Sequence, residues 1–82
     1  MIHELKIVPE YFDAIVEGRK TFEVRRRDRT YQVGDMLALN EWTGEAYTGS
    51  SCLVHVTYVL DNENYCKEGY VILGIKLYET FE

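Results

Sequence analysis

Residues 2–7 alternate in polarity: His3, Leu5 and Ile7 fall on one face, Glu4 and Lys6 on the other. A period of two marks a half-buried strand. Pro9 then suits the first turn of a helix, where its missing N–H would have had no partner. Glu10 beside it complements the positive end of the helix dipole. Phe12, Ile15 and Val16 share one helical face, and Gly18 is a natural stop. The spacing predicts a helix over 9–17, about two and a half turns. Alternation resumes over 21–26, with Phe22 and Val24 pointing one way and Thr21, Glu23 and Arg25 the other. Residues 27–30 are polar and read as a loop. Val33-Gly34-Asp35 reads as a turn into a strand over 36–42, with Leu37 and Leu39 inward. Residues 43–51, with Gly44, Gly49, Ser50 and Ser51, read as a loop or loose hairpin end. Residues 52–60 predict a strand with Val54, Val56, Tyr58 and Leu60 on one face. A turn region follows over 61–64. Residues 70–78 predict another strand, with Val71, Leu73, Ile75 and Leu77 inward. Gly74 within it marks a bulge or bend.

The pattern amounts to about five strands and one short helix, the helix lying between the first two strands. This is an α+β chain that is mostly β. A small, mostly antiparallel barrel is favoured over an open sheet, because closure removes exposed edges. No repeat, linker or low-complexity stretch divides the 82 residues, so 1–82 is read as a single domain. Hydrophobic residues make up 46%, which argues against wholesale disorder. No apolar run approaches the ~20 residues that span a bilayer. The start of the chain lacks the basic-then-apolar order of a signal peptide. A cytoplasmic protein with no membrane partner is therefore expected. Cys52 and Cys66 are too few for a disulfide framework or a structural zinc, and read as reduced thiols. Cys52 lies in an apolar run and is expected inside; Cys66 lies in a polar loop and is expected outside. No metal and no cofactor are expected.

Charge changes the picture more by its placement than by its sum. The net charge is −5, which argues against indiscriminate nucleic-acid binding. Yet residues 19–29 hold Arg19, Lys20, Arg25, Arg26, Arg27 and Arg29 against only Glu23 and Asp28. A positive island stands on an acidic body. It reads either as a local lure for phosphate or as a charged, solvated edge strand.

Within that island, Gly18-Arg19-Lys20-Thr21-Phe22-Glu23-Val24-Arg25 reads G-x-K-x-x-E-x-R, set after a short helix and running into a strand. Here the sequence resembles the ASCH domain, a branch of the PUA-like superfamily. Val33-Gly34-Asp35 fits the same superfamily. His3-Glu4-Leu5-Lys6, Tyr47-Thr48-Gly49 and the stretch from Gly69 to Gly74 resemble a small bacterial and phage subfamily of it. The resemblance covers essentially the whole chain. It implies a PUA-like β-barrel with a cleft beside the motif that binds RNA or a nucleotide. One departure is Ser50, where that subfamily carries an arginine after Tyr-Thr-Gly.

The chemistry of the motif is consistent with such a cleft. Glu23 and Arg25 emerge on one strand face, roughly 7 Å apart. A carboxylate beside two cations can orient them or accept from a base amino group. Arg25 can meet a phosphate bidentately or stack on a base. The plain alternative is a surface salt bridge of little consequence. Arg26, Arg27 and Arg29 are candidate phosphate contacts, and Trp42 and Tyr47 candidate stacking platforms; Tyr31 and Tyr65 are weaker ones. His3 either reaches the cleft from the barrel mouth or is a satisfied structural histidine. His55 alternates with Val54 and Val56 and is expected to face solvent.

Three functions compete. The first is a non-catalytic RNA- or nucleotide-binding module built on Lys20, Glu23 and Arg25. The second is a small amidohydrolase acting on a modified nucleoside, as the resemblance implies for some relatives. Those relatives place a threonine where Glu23 stands and draw a glutamate from a later helix, for which the chain after Asp61 has no room. No Ser/His/Asp or metal constellation supports catalysis. The third is a module that binds a protein partner through its charged edge and the 43–51 segment.

Overall fold

The alternation at the start of the chain becomes strand β1 (Ile2–Ile7), with His3 and Ile7 buried and Glu4 and Lys6 outside. A computed structural model describes all residues, 1–82. Helix α1 (Pro9–Val16) follows directly. Val8 gives its N-terminus no side-chain cap, so the start rests on Pro9 in the first turn and on Glu10 near the dipole. Phe12 and Ile15 bury the inner face of the helix. Gly18, at φ +81°, ends it, and the amides of Arg19 and Lys20 both donate to the Ala14 carbonyl. That reversal delivers the chain into strand β2 (Phe22–Arg26).

Strands β3 (Met36–Trp42), β4 (Tyr47–Leu60) and β5 (Tyr70–Phe81) complete one sheet of order β1-β3-β4-β5-β2. The β1–β3 pair is parallel and the other three are antiparallel. The sheet curls into a half-barrel around Leu37, Leu39, Val54, Val56, Leu73 and Ile75, and Phe12 and Ile15 of the helix plug it. The expected fold class is therefore present: a small, mostly antiparallel curled sheet with one helix between its first two strands. The edges β1 and β2 are not paired by backbone. Arg25 Nη2 bridges them instead, donating to the Lys6 carbonyl at 2.9 Å.

Three expectations need correction. Of the two readings of residues 43–51, the loop fails and the hairpin end holds. Tyr47 opens β4 opposite Trp42, across a tight turn in which the Thr43 amide donates to the Ala46 carbonyl. Gly44, at φ +103°, allows that turn. Second, Tyr58 and Leu60 do not continue the Val54/Val56 face. The ladder shifts between Val56 and Tyr58, so Thr57 is an extra residue; Tyr58 turns outward and Val59 packs on the core. The bulge lies on β4, and Gly74 is the residue that faces it. A Cβ at Gly74 would stand 3.1 Å from Thr57 Oγ1 and 3.3 Å from Tyr58 Cβ. Third, Leu77 is exposed although it keeps the phase of Ile75 and stands opposite buried Val54; the ladder shifts only beyond it, where Tyr78 is the extra residue between Leu77 and Glu79.

Cys52 is buried as expected, and burial pushes its thiol up to about 11. Cys66 is half-buried rather than exposed, with its Sγ 3.3 Å from the Leu60 carbonyl oxygen. Tyr31 is inside, its ring 4.8 Å from that of His3.

His3 and Asp35 tie β1 to the turn before β3. The His3 Nε2 atom lies 2.8 Å from Asp35 Oδ2, and the Gln32 amide donates to the same oxygen. The His3 hydrogen bond, followed by the Gln32 amide, holds the Asp35 carboxyl below its ordinary value of 3.8. A carboxyl depressed in the folded state adds stability that is present above its unfolded value and is lost as pH falls through the folded one. Denaturant titrations at pH 7 and pH 3 should show wild type losing more stability between the two than Asp35→Asn does. Equal losses would mean that Asp35 is not part of the acid response.

Candidate nucleic-acid interface

β2 inverts the usual pattern of a strand. Its polar residues, not its apolar ones, turn inward: Glu23 is 3% exposed, whereas Phe22 and Val24 stand 46% and 51% exposed. A buried carboxylate is costly unless paired and hydrogen-bonded. Glu23 meets both conditions. Its Oε1 accepts from Lys20 Nζ at 2.5 Å, and its Oε2 accepts from Arg25 Nε at 2.8 Å. Arg25 Nη2 lies 2.8 Å from the same Oε2, which makes the guanidinium grip two-pronged. Lys20 also donates to the Phe22 carbonyl at 2.7 Å. The Gly18 reversal and the β1–β2 bridge thus fix both cations around one carboxylate.

The three groups line a cleft of about 370 Å³ between the helix, β1 and β2. Its apolar walls are Ile7, Val8 and Tyr11 on one side and Phe22 and Val24 on the other. The Lys20 ammonium sits 5.2 Å from the Tyr11 ring and 4.8 Å from the Phe22 ring. Lys20 and Arg25 keep 14% and 19% of their side-chain surface open. Two cations against one buried carboxylate leave the cleft positive, and the rings offer flat faces. An anion carrying a planar group is the ligand that such a site suits. Glu23 is too deep to serve as the main contact and acts by orienting its two neighbours.

The other predicted site residues do not converge there. Arg27 pairs with Asp61 and Arg29 with Asp28, outside the cleft. Arg19 pairs with Glu17. Most of the positive island is therefore matched by local carboxylates. Arg26 has no carboxylate partner and lies over the Tyr70 ring at 5.6 Å. Trp42 and Tyr47 meet edge-to-face at 4.8 Å on the β3–β4 hairpin, with the Lys6 ammonium 4.3 Å from the Trp42 ring. His3 is 3% exposed and bound to Asp35, so the structural alternative describes it and it offers no surface to a ligand. His55 stacks edge-on against Tyr78, outside the core. Sequence reasoning missed Tyr11, Ile7 and Val8 as cleft walls, because a helical tyrosine and the residues joining β1 to α1 carry no distinguishing pattern. It also missed Lys6. The inverted alternation of β2 was visible, but which face turned inward was not.

Comparisons with known proteins agree with this geometry at the level of fold. Residues 2–75 match the family model DUF3850, described as a domain of unknown function. The "Uncharacterized 12.9 kDa protein in GpA 3'region" of Escherichia phage P2 is 42% identical over 72 residues, 88% of this chain. The chain spans 65% of that relative's length. Among solved structures, hypothetical protein PH0355 is similar with a TM-score of 0.64 at 16% identity, covering 95% of this chain and all of that one. A serine-to-alanine variant of ZmASCH from Zymomonas mobilis gives 0.62 at 16% identity, covering 95% of this chain and 68% of its own.

Proposed function

The chain belongs to the DUF3850 family, and from its cleft we propose that it is a PUA-like module of the ASCH type that binds RNA or a nucleotide beside the Gly18–Arg25 motif. One observation carries the reading. A nearly inaccessible Glu23 holds Lys20 and Arg25 at the mouth of a cleft walled by Tyr11 and Phe22. A bridge made only for stability would not need an aromatic-walled opening beside it, and an exposed one would be worth little. The likeness of fold to ZmASCH supports the same assignment. The acidic remainder of the chain confines attraction for phosphate to this region. Glu23 is poorly placed as a general base, since each of its oxygens is held by a cation. The hydrolase reading gains nothing from the geometry.

The test is titration of labelled single-stranded RNA and of mononucleotides at two salt concentrations. Wild-type binding is expected to weaken with salt. Lys20→Ala and Arg25→Ala should each weaken it about tenfold or more, the loss of one hydrogen bond to a charged group. If neither RNA nor mononucleotide binds at low salt, the reading is overturned.

A further inference from the structure

We propose that the outward face of β2, with the adjoining start of β5, is a track for single-stranded RNA, so that the cleft takes a short strand rather than a free nucleotide. The proposal rests on the cleft reading above and extends it along one edge of the sheet.

Phe22, Val24 and Arg26 share the outward face of β2, in register with Gly74, Ile72 and Tyr70 of β5. Phe22 and Val24 are apolar and open to solvent where a solvated strand face would be polar. The rings at both ends of the row carry cations. Lys20 lies 4.8 Å from Phe22; Arg26 and Lys67 lie 5.6 and 5.4 Å from Tyr70. Arg26 and Lys67 make no ion pair, unlike Arg19, Lys20, Arg25, Arg27 and Arg29. They are free to meet phosphate.

The surface is also continuous. A second hollow, of about 300 Å³, is lined by Leu5, Arg26, Asp28, Tyr31 and Tyr70 and shares Val24 and Arg25 with the cleft. The two depressions meet at those residues. From Phe22 to Arg26 the strand rises ~13 Å. At ~3.4 Å per nucleotide of a stacked strand, that length holds about four nucleotides. Bases can stack on Phe22 and Tyr70 only when they are free of a duplex, and such stacking tolerates any sequence. The occupant is therefore single-stranded, with phosphates near Arg26 and Lys67.

The experiment is calorimetric titration of uridine monophosphate and of oligouridylates of two, four and eight residues. Affinity should rise at least tenfold from the monomer to the tetramer and level off by the octamer. Tyr70→Ala should weaken the tetramer about tenfold, while Tyr70→Phe binds as wild type. Arg26→Gln, an exposed change that leaves the fold intact, should reduce the slope of log affinity against log salt by about 0.7. All three variants should bind the monophosphate within twofold of wild type. If the monophosphate binds as tightly as the tetramer, or Arg26→Gln leaves the tetramer unaffected, the track is overturned and the cleft reading stands. A base-paired hairpin binding better than the tetramer also overturns the track. If neither monomer nor oligomer binds, the cleft reading falls and the track falls with it. Should Tyr70→Ala fail to fold by circular dichroism, Arg26→Gln decides alone.

Discussion

Glu23→Gln is expected to melt about 10–20 °C below wild type by circular dichroism. The substitution keeps the shape of the side chain and removes its charge. Lys20 and Arg25 then face each other across a buried amide, with most of their surface already withdrawn from water. Removing one partner of a fully buried pair costs about 3–5 kcal/mol. Here the cations keep some solvent, which screens part of the loss, so about 2–3 kcal/mol is the expected cost. For a domain of this size that corresponds to the stated fall in melting temperature. The same change should release the Arg25 bridge to Lys6, because the guanidinium loses the carboxylate that aims it. A melting point within 3 °C of wild type would mean that water enters the cleft and solvates the pair.

The second large effect separates two leucines of β5. By alternation alone, Leu73 and Leu77 lie on one face and should cost alike. In the structure Leu73 is fully buried, while Leu77, beyond the last buried position of β5 at Ile75, is 38% exposed. Leu73→Ala should therefore lose about 3 kcal/mol, the transfer of the side chain plus the cavity it leaves. Leu77→Ala should lose less than about 1 kcal/mol. Urea denaturation of the two variants reads the difference directly through the midpoint. Equal losses would show that Leu77 is as deeply buried as Leu73 in solution.

These cases show why parts of the fold were legible and others were not. Strands β1 and β3 alternate with a period of two over most of their length, so Ile7, Leu37 and Leu39 could be assigned to the core from the sequence, whereas alternation alone did not decide between a cleft and a structural role for His3. Helix α1 carried its own punctuation in Pro9 and Gly18. The failures in β4 and β5 have different causes: in β5 alternation carries on to Leu77 but burial stops at Ile75, whereas β4 is bulged at Thr57. A bulge inserts a residue into the ladder and reverses the phase beyond it, and no local residue announces where. Gly74 did announce a disturbance, but its meaning lay across the sheet, in the space it leaves for Thr57 and Tyr58. Segment 43–51 read as a loop or loose hairpin end because glycines and serines are weak strand formers, and pairing with β3 decides for the hairpin. At the site, the motif identified Lys20, Glu23 and Arg25, and the structure brings the three into contact. The aromatic walls come from α1 and from the outward face of β2, which only the fold places beside the motif. The arginines after Arg25 looked like a single positive surface. Arg27, however, finds its partner in Asp61, in a distant loop that sequence order does not bring near.

The strand order has a consequence for how the protein is made. β1 and β2 are separated in the chain only by one short helix, yet they occupy opposite edges of the sheet. Phe22 finds its backbone partner at Gly74, and Arg26 at Tyr70. As a ribosome releases the chain, the Lys20–Glu23–Arg25 segment emerges early and then waits, unpaired, until β5 has followed it. Contacts of such long range form slowly compared with local ones. Until they form, the nascent β2 presents an open edge with Phe22 and Val24 uncovered. The cleft beside the Gly18–Arg25 motif is therefore complete only when β5 docks against β2.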